Sequence, residues 1–255
     1  MFWANVFVWD GSGGDPETRI ERVYRPVVNL LHASRMRQAT LAVAPDVLKE
    51  LAERKDDDVL AMYKDLSVLH QVETALLQKP DVPAESLAGD LNQQRTTVRE
   101  LLGEDMIVRG VFAFSEKDPF ALVETYRSAG VRWVLLDSRN VLGPYVDLLD
   151  DAIYELVVPG SVYAFFPDAR ATRLLREAKD PTARQFKEHF PAKLDRKCYL
   201  ITVLGEADLL GADGHVWELL EDLYEDHTVR SVRVSTLEEL FQKRRRIEPA
   251  LLPQL

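Results

Sequence analysis

The sequence of 255 residues contains one cysteine, Cys198. No intrachain disulfide can form, which points to a reducing, cytoplasmic compartment. Set in an apolar run, the thiol reads as a small core residue rather than a nucleophile. Long apolar runs are missing as well: no segment approaches the ~18 consecutive apolar residues that a membrane span requires. The opening MFWANVFVWDG has no basic leader region, so it reads as a strand and not as a signal peptide. An excess of positive charge is also lacking. The formal net charge is -10, which argues against nucleic acid or an anionic membrane as partner. The local exception, Lys243-Arg244-Arg245-Arg246, reads as basic charge at a helix C-terminus, where the helix dipole favours it.

Several chemical signatures are absent too. The five histidines (His32, His70, His189, His215, His227) contain no pair at i and i+4, so a zinc or similar metal site has little support, and no cofactor is expected. Gly11-Ser12-Gly13-Gly14 has neither the Lys-Ser/Thr of a phosphate-binding loop nor GxGxxG spacing; it reads as a flexible turn. No serine stands in a nucleophile-elbow sequence. Internal repeats and low-complexity segments are missing as well.

Alternation of short apolar strands with amphipathic helices is present almost throughout. Strands are expected at Trp3–Trp9, Ala39–Ala44, Leu69–Ala75, Ile107–Phe114, Val131–Leu136, Tyr154–Val158, Val162–Phe166, Tyr199–Leu204 and Val229–Val234. Helices are expected at Glu17–Ala33, Pro45–Arg54, Val59–Leu66, Glu85–Leu102, Asp118–Ala129, Asp168–Lys179, Pro181–His189, Gly214–Asp226 and from Thr236 onward. Such alternation argues for a parallel sheet. With seven or eight buried strands in one domain, 1–246, the expected architecture is an α/β fold with a parallel, seven-stranded (β/α) barrel; residues 247–255 form a proline-broken tail.

Asn5 to Ser12, Tyr24-Arg25-Pro26, Gln71-Val72-Glu73, Gln94 to Ser115, Ala129 to Asp137 and Lys197 to Leu240 follow one another in an order that resembles glycoside hydrolase family 57, whose barrel is related to that of the polysaccharide deacetylases. Asn5 to Ser12 is similar to the family's opening strand, and Tyr24-Arg25-Pro26 to its Tyr-Arg-Pro. Gln71-Val72-Glu73 resembles Gly-Gln-Val-Glu. Gln94 to Ser115 resembles a helix, a glycine stop and the strand that ends in the family's nucleophilic Glu, and Ala129 to Asp137 matches the next helix–strand step. The stretch from Lys197 to Leu240 resembles the last third of that barrel, with Leu204-Gly205-Glu206 where the family has Asp-x-Glu.

The departures fall at the chemistry. Val8 stands where the family has a histidine, Gly11-Ser12 where it has Gln-Pro, and Leu204 where it has the general acid/base. The nucleophile position is Ser115 without a gap and Glu116 with one extra residue. Retaining glycoside cleavage needs two carboxyl groups about 5 Å apart, and a leucine cannot carry a proton. The resemblance thus implies a carbohydrate cleft, for an oligosaccharide or α-glucan, in which catalysis is lost or weak. The alternatives are an active retaining glycosidase or glucanotransferase using Glu116 with a relocated carboxylate from Glu206, Asp208 or Asp10, and a protein-interaction module on a barrel scaffold. Besides Glu116 as catalytic candidate, Asp10, Trp9, Glu73, Asp137, Glu206, Asp208 and Trp217 are the candidates for contact with substrate. The bland reading of Glu116 is a helix cap, of Trp9 and Trp217 core packing, and of Asp10 a turn former.

Overall fold

A computed structural model of the chain describes residues 1–54, 58–79, 82–113, 122–136, 153–156, 162–177, 183–188, 199–212, 214–240 and 244–247. Among the described residues ten strands form one sheet: β1 Phe2–Trp9, β2 Ala39–Val43, β3 Val72–Gln78, β4 Gly110–Ala113, β5 Trp133–Leu136, β6 Ile153–Leu156, β7 Val162–Phe165, β8 Tyr199–Gly205, β9 Arg230–Ser231 and β10 Arg244–Ile247. Seven of them run parallel in the order β7-β5-β4-β3-β2-β1-β8. This is the seven-stranded parallel (β/α) barrel. Its strands are nearly continuous apolar runs because helices cover their outer faces and the barrel interior covers the other.

Alternation along β1 decides which side chains face inward. Trp3 packs on Tyr224 of the Gly214–Glu225 helix, and Trp9 packs on Tyr24 and on Tyr63 of the Val59–Val68 helix. The odd residues of β1 therefore face the helices, and Ala4, Val6 and Val8 face the interior. Register carries the assignment around the ring: Val8 lies beside Ala42 and Gly205, and Thr40 beside Glu73. At Gly110 the interior admits no side chain, since a Cβ there would stand 2.0 Å from the Trp133 ring. Trp133, Phe165 and Tyr199 follow one another edge-to-face, with neighbouring ring centroids 6.3 Å apart.

Among the described residues the ladder does not close. Antiparallel β6 pairs with β7, and β7 and β8 share no register. The free edge of β8 instead meets the Ala169–Glu177 helix and the residue that precedes it. Asp168 N donates to Ile201 O at 2.8 Å, and Val203 N donates to Thr172 Oγ1 at 3.2 Å. The edge groups are thus partnered without a strand.

The N-terminal face is covered differently. The Val234–Leu240 helix lies beneath β2 and β3: Val234 N donates to Thr40 Oγ1 and Ser235 N to Glu73 Oε1. Strand β9 fills the place beside Phe2 and Trp3 that β2 leaves open.

Most expected elements are present, with four corrections. Leu69 to Gln71 is a turn rather than the start of β3; Gln71 Nε2 bonds Leu31 O and Ser34 O there, and His70 takes a positive φ of 56°. The expected strand at Val229–Val234 is only two residues long, because Val234 already begins the closing helix. Glu206–Leu210 forms a short helix that the sequence pattern did not announce. The basic run Arg244–Arg246 lies on β10, paired with β6, and not at a helix C-terminus.

Candidate functional site

The loops after the strands open on the C-terminal face of a β/α barrel, where reacting groups ordinarily sit. Asp10 to Asp15 follows β1 there, and Glu206 follows β8. Glu206 is buried, with 1% of its surface exposed. Its Oε1 accepts hydrogen bonds from Gly11 N (2.9 Å) and the Tyr24 hydroxyl (2.6 Å), and its Oε2 accepts one from Gly13 N (2.8 Å). Gly13 has no room for a side chain: a Cβ would lie 2.7 Å from Leu210 and 2.9 Å from Glu206 Oε2. Burial, followed by the bond to Glu206, pushes the Tyr24 hydroxyl above the ordinary tyrosine range, so Tyr24 is a neutral donor.

Arg19 holds the same loop from the other side. Its Nη1 donates to Gly11 O and Gly14 O, both at 2.8 Å, and its Nη2 meets Glu50 Oε2 at 2.6 Å. The loop is thus bound through its N–H groups by a buried carboxylate and through its carbonyls by a buried guanidinium. Asp15 then caps the Pro16–Arg19 turn, accepting from Thr18 N and Thr18 Oγ1. Asp10 stays exposed at the head of this loop. Its Oδ1 accepts from Ser12 N and Ser12 Oγ, and no partner of Oδ2 is seen among the described residues.

The other candidates fall in different places. Asp208 Oδ2 accepts from Gly205 N at 2.8 Å and pairs with Arg176 at 3.0 Å, which fixes the start of the Glu206–Leu210 helix. Trp9 was a candidate platform for a sugar ring; it is fully buried between Tyr24 and Tyr63 on the helix side of β1, so no face of it meets solvent. Glu73 was a candidate for contact with substrate; it sits at the opposite end of the barrel, five residues or about 16 Å of strand from the end of β3. Its Oε1 accepts from Thr40 Oγ1 and Ser235 N, and burial pushes its carboxyl above the usual range. Trp217 is partly buried near the start of the Gly214–Glu225 helix and packs on the core. Glu116, Ser115 and Asp137 lie outside the described residues, as does Cys198.

Leu204 stands in register with Phe7, one of the outward-facing residues of β1, and is fully buried. At the C-terminal end of β8 it is Gly205 and Val203, not residue 204, that face the interior. Among the described residues the upper interior is lined by apolar groups: Val8, Ala42, Leu77, Phe112 and Leu135. Sequence reasoning missed Arg19 as a partner of the mouth loop. Its place in a helix that continues through Tyr24 was the one signal available.

No protein-family model and no curated protein matches this chain. Solved structures do. A 4-alpha-glucanotransferase from Thermococcus litoralis superposes with a TM-score of 0.79 at 16% identity, over 97% of this chain and 41% of that one. A GH57 branching enzyme from Thermococcus kodakaraensis gives 0.66 at 12% identity, over 96% and 72%. The alpha-amylase AmyC from Thermotoga maritima gives 0.65 at 11%, over 95% and 75%. The chain spans less than half the length of the glucanotransferase. The chain has the barrel fold of the GH57 enzymes.

Proposed function

We propose that the protein uses the C-terminal mouth of the barrel to bind an oligosaccharide of the α-glucan type, and that it has lost efficient glycoside cleavage there. Sugar binding is carried over from the three solved structures, which are by name a glucanotransferase, a branching enzyme and an amylase; a shared fold supplies the scaffold and not the activity. One observation carries the loss of cleavage. The interior-facing residues that end β1 and β8 next to one another are Val8 and Gly205, which have no titratable group, and the carboxylates of Glu206 and Asp208 are engaged with backbone N–H groups. Retaining cleavage needs a proton donor opposite its nucleophile. Among the described candidates, Asp10, exposed at the head of a fixed loop, is the carboxylate left to meet a sugar hydroxyl.

Calorimetry with maltooligosaccharides tests the reading. The expected result is binding that Asp10→Asn weakens, with no shortening of the oligosaccharide on prolonged incubation. Absence of binding at millimolar sugar would remove the carbohydrate reading. Turnover abolished by Glu116→Gln would overturn the loss of catalysis.

A further inference from the structure

Among the described residues, five large apolar side chains stand well exposed: Met36 (78%), Val68 (72%), Ile107 (61%), Leu69 (45%) and Leu240 (43%). All five belong to one face. Met36 precedes β2, Val68 and Leu69 precede β3, Ile107 precedes β4, and Leu240 ends the helix that lies under β2 and β3. This is the N-terminal face, opposite the mouth. A groove of about 610 Å³ opens beside two of them, with Val68, Ile107, Arg109, Arg132 and Glu239 among its walls. Scattered apolar residues on a surface need no explanation, but a set confined to one face beside a groove does.

The segment after the Ala84–Leu102 helix indicates what covers it. From Asp105 to Gly110 exposure alternates: Asp105, Ile107 and Arg109 face solvent, while Val108 and Gly110 are buried and Met106 is partly so. The backbone of this ridge is fixed. Arg99 Nε donates to Met106 O (3.3 Å), Arg95 Nε to Val108 O (3.1 Å) and Arg132 N to Arg109 O (2.8 Å). No ion pair of Asp105 or Arg109 is seen among the described residues. The order acid, apolar, base at every second residue is self-complementary about Ile107. Laid antiparallel against itself across a two-fold axis, it brings Ile107 onto Ile107 and each Arg109 onto the other copy's Asp105. A patch that matches itself in this way is what a two-fold interface requires, and a fixed ridge loses little freedom on pairing.

We propose that the N-terminal face is a dimerisation surface for a second copy of this chain, centred on the Asp105–Arg109 ridge. The net charge of -10 on each copy opposes association only over about 8 Å at physiological salt, so contacts within the ridge decide the outcome. The two barrel mouths then point away from each other and both stay free. The proposal is independent of what those mouths bind.

Sedimentation equilibrium on the full chain reads the association directly. The wild type is expected at twice the chain mass at micromolar concentration. Ile107→Glu is expected at the monomer mass, still melting cooperatively but at a temperature that no longer depends on protein concentration. Asp105→Arg and Arg109→Asp each place like charges opposite one another and are expected to weaken association by about tenfold or more. The double charge swap restores opposite charges and is expected to recover dimerisation to within about threefold of wild type. A monomeric wild type, or a dimer that Ile107→Glu leaves intact, overturns the proposal. So does a double swap as weak as the single reversals, even where Ile107→Glu unfolds the chain.

Discussion

Glu206, a candidate for contact with substrate, has a structural part: its carboxylate holds the loop that follows β1. Both of its oxygens are occupied by donors: the half-buried Gly11 N and Gly13 N and the buried Tyr24 hydroxyl. Removing a buried charged partner leaves such groups unsatisfied and typically costs about 3–5 kcal/mol. Glu206→Ala is therefore expected to lower the melting temperature by roughly 6–20 °C, at about 2–4 °C per kcal/mol for a chain of this size. Glu206→Gln keeps one acceptor and turns an amide toward a backbone N–H, so it should fall between the two. A thermal scan in which Glu206→Ala melts with the wild type would show that the loop stands without its carboxylate. The sequence exposed the acidic character of position 206 but not its neighbours, because Gly11, Arg19, Tyr24 and Glu206 meet only through the β1–β8 pairing. The side of the strand that Trp9 takes was hidden for a related reason. It is set by Tyr24 and Tyr63 on two separate helices, which no local pattern reveals.

Helices were legible wherever an apolar stripe of normal length ran between clear stop signals, as in Ala84–Leu102 and Gly214–Glu225. Short elements were not. Glu206–Leu210 begins one residue after an apolar strand and is held by Asp208 and Arg176, a partner 32 positions away. Strand β10 is built from arginines, whose charge hid a β assignment. The turn at Asp226–Thr228 joins the Gly214–Glu225 helix to β9 and is tied to the Ala183–Glu188 helix through Lys187, which bonds both Asp226 and Thr228. Burial alone would raise the Asp226 carboxyl, but the bonds to Lys187 and Thr228 outweigh it and draw the pKa down to about 2. A carboxyl with a depressed folded-state pKa contributes stability above its unfolded value of 3.8. That contribution is lost as pH falls through about 2. With screening by nearby solvent it amounts to about 1 kcal/mol. Denaturant unfolding should find Asp226→Asn less stable than wild type by that amount at neutral pH, with the difference vanishing in acid. An unchanged gap between the two proteins across this range would mean that the pair contributes nothing specific.

At the scale of the whole molecule the weak place in the barrel is the seam between β7 and β8. Strand alternation in the sequence pointed to seven parallel strands, and seven are there. It could not show that β6 would turn antiparallel and take the edge of β7. The outward edge of β8 is consequently satisfied by a helix: Val203 N donates to the Thr172 hydroxyl, and Ile201 O accepts from Asp168 N. A side-chain acceptor on a helix is a looser partner than a strand, since it rides on a rotamer and on the packing of that helix. Local opening at this seam should therefore precede opening of β1, β2 and β3, each of which is laddered on both edges. Thr172→Val tests this with almost no change of shape. It strands the buried Val203 N–H, at a cost of about 1–3 kcal/mol, while the β1–β8 ladder stays intact. Hydrogen exchange should then quicken at Val203 and its neighbours on β8 and leave Val6, Phe7 and Leu41 unaffected. Equal acceleration across all strands would mean that the barrel opens as one unit and that the seam has no separate stability.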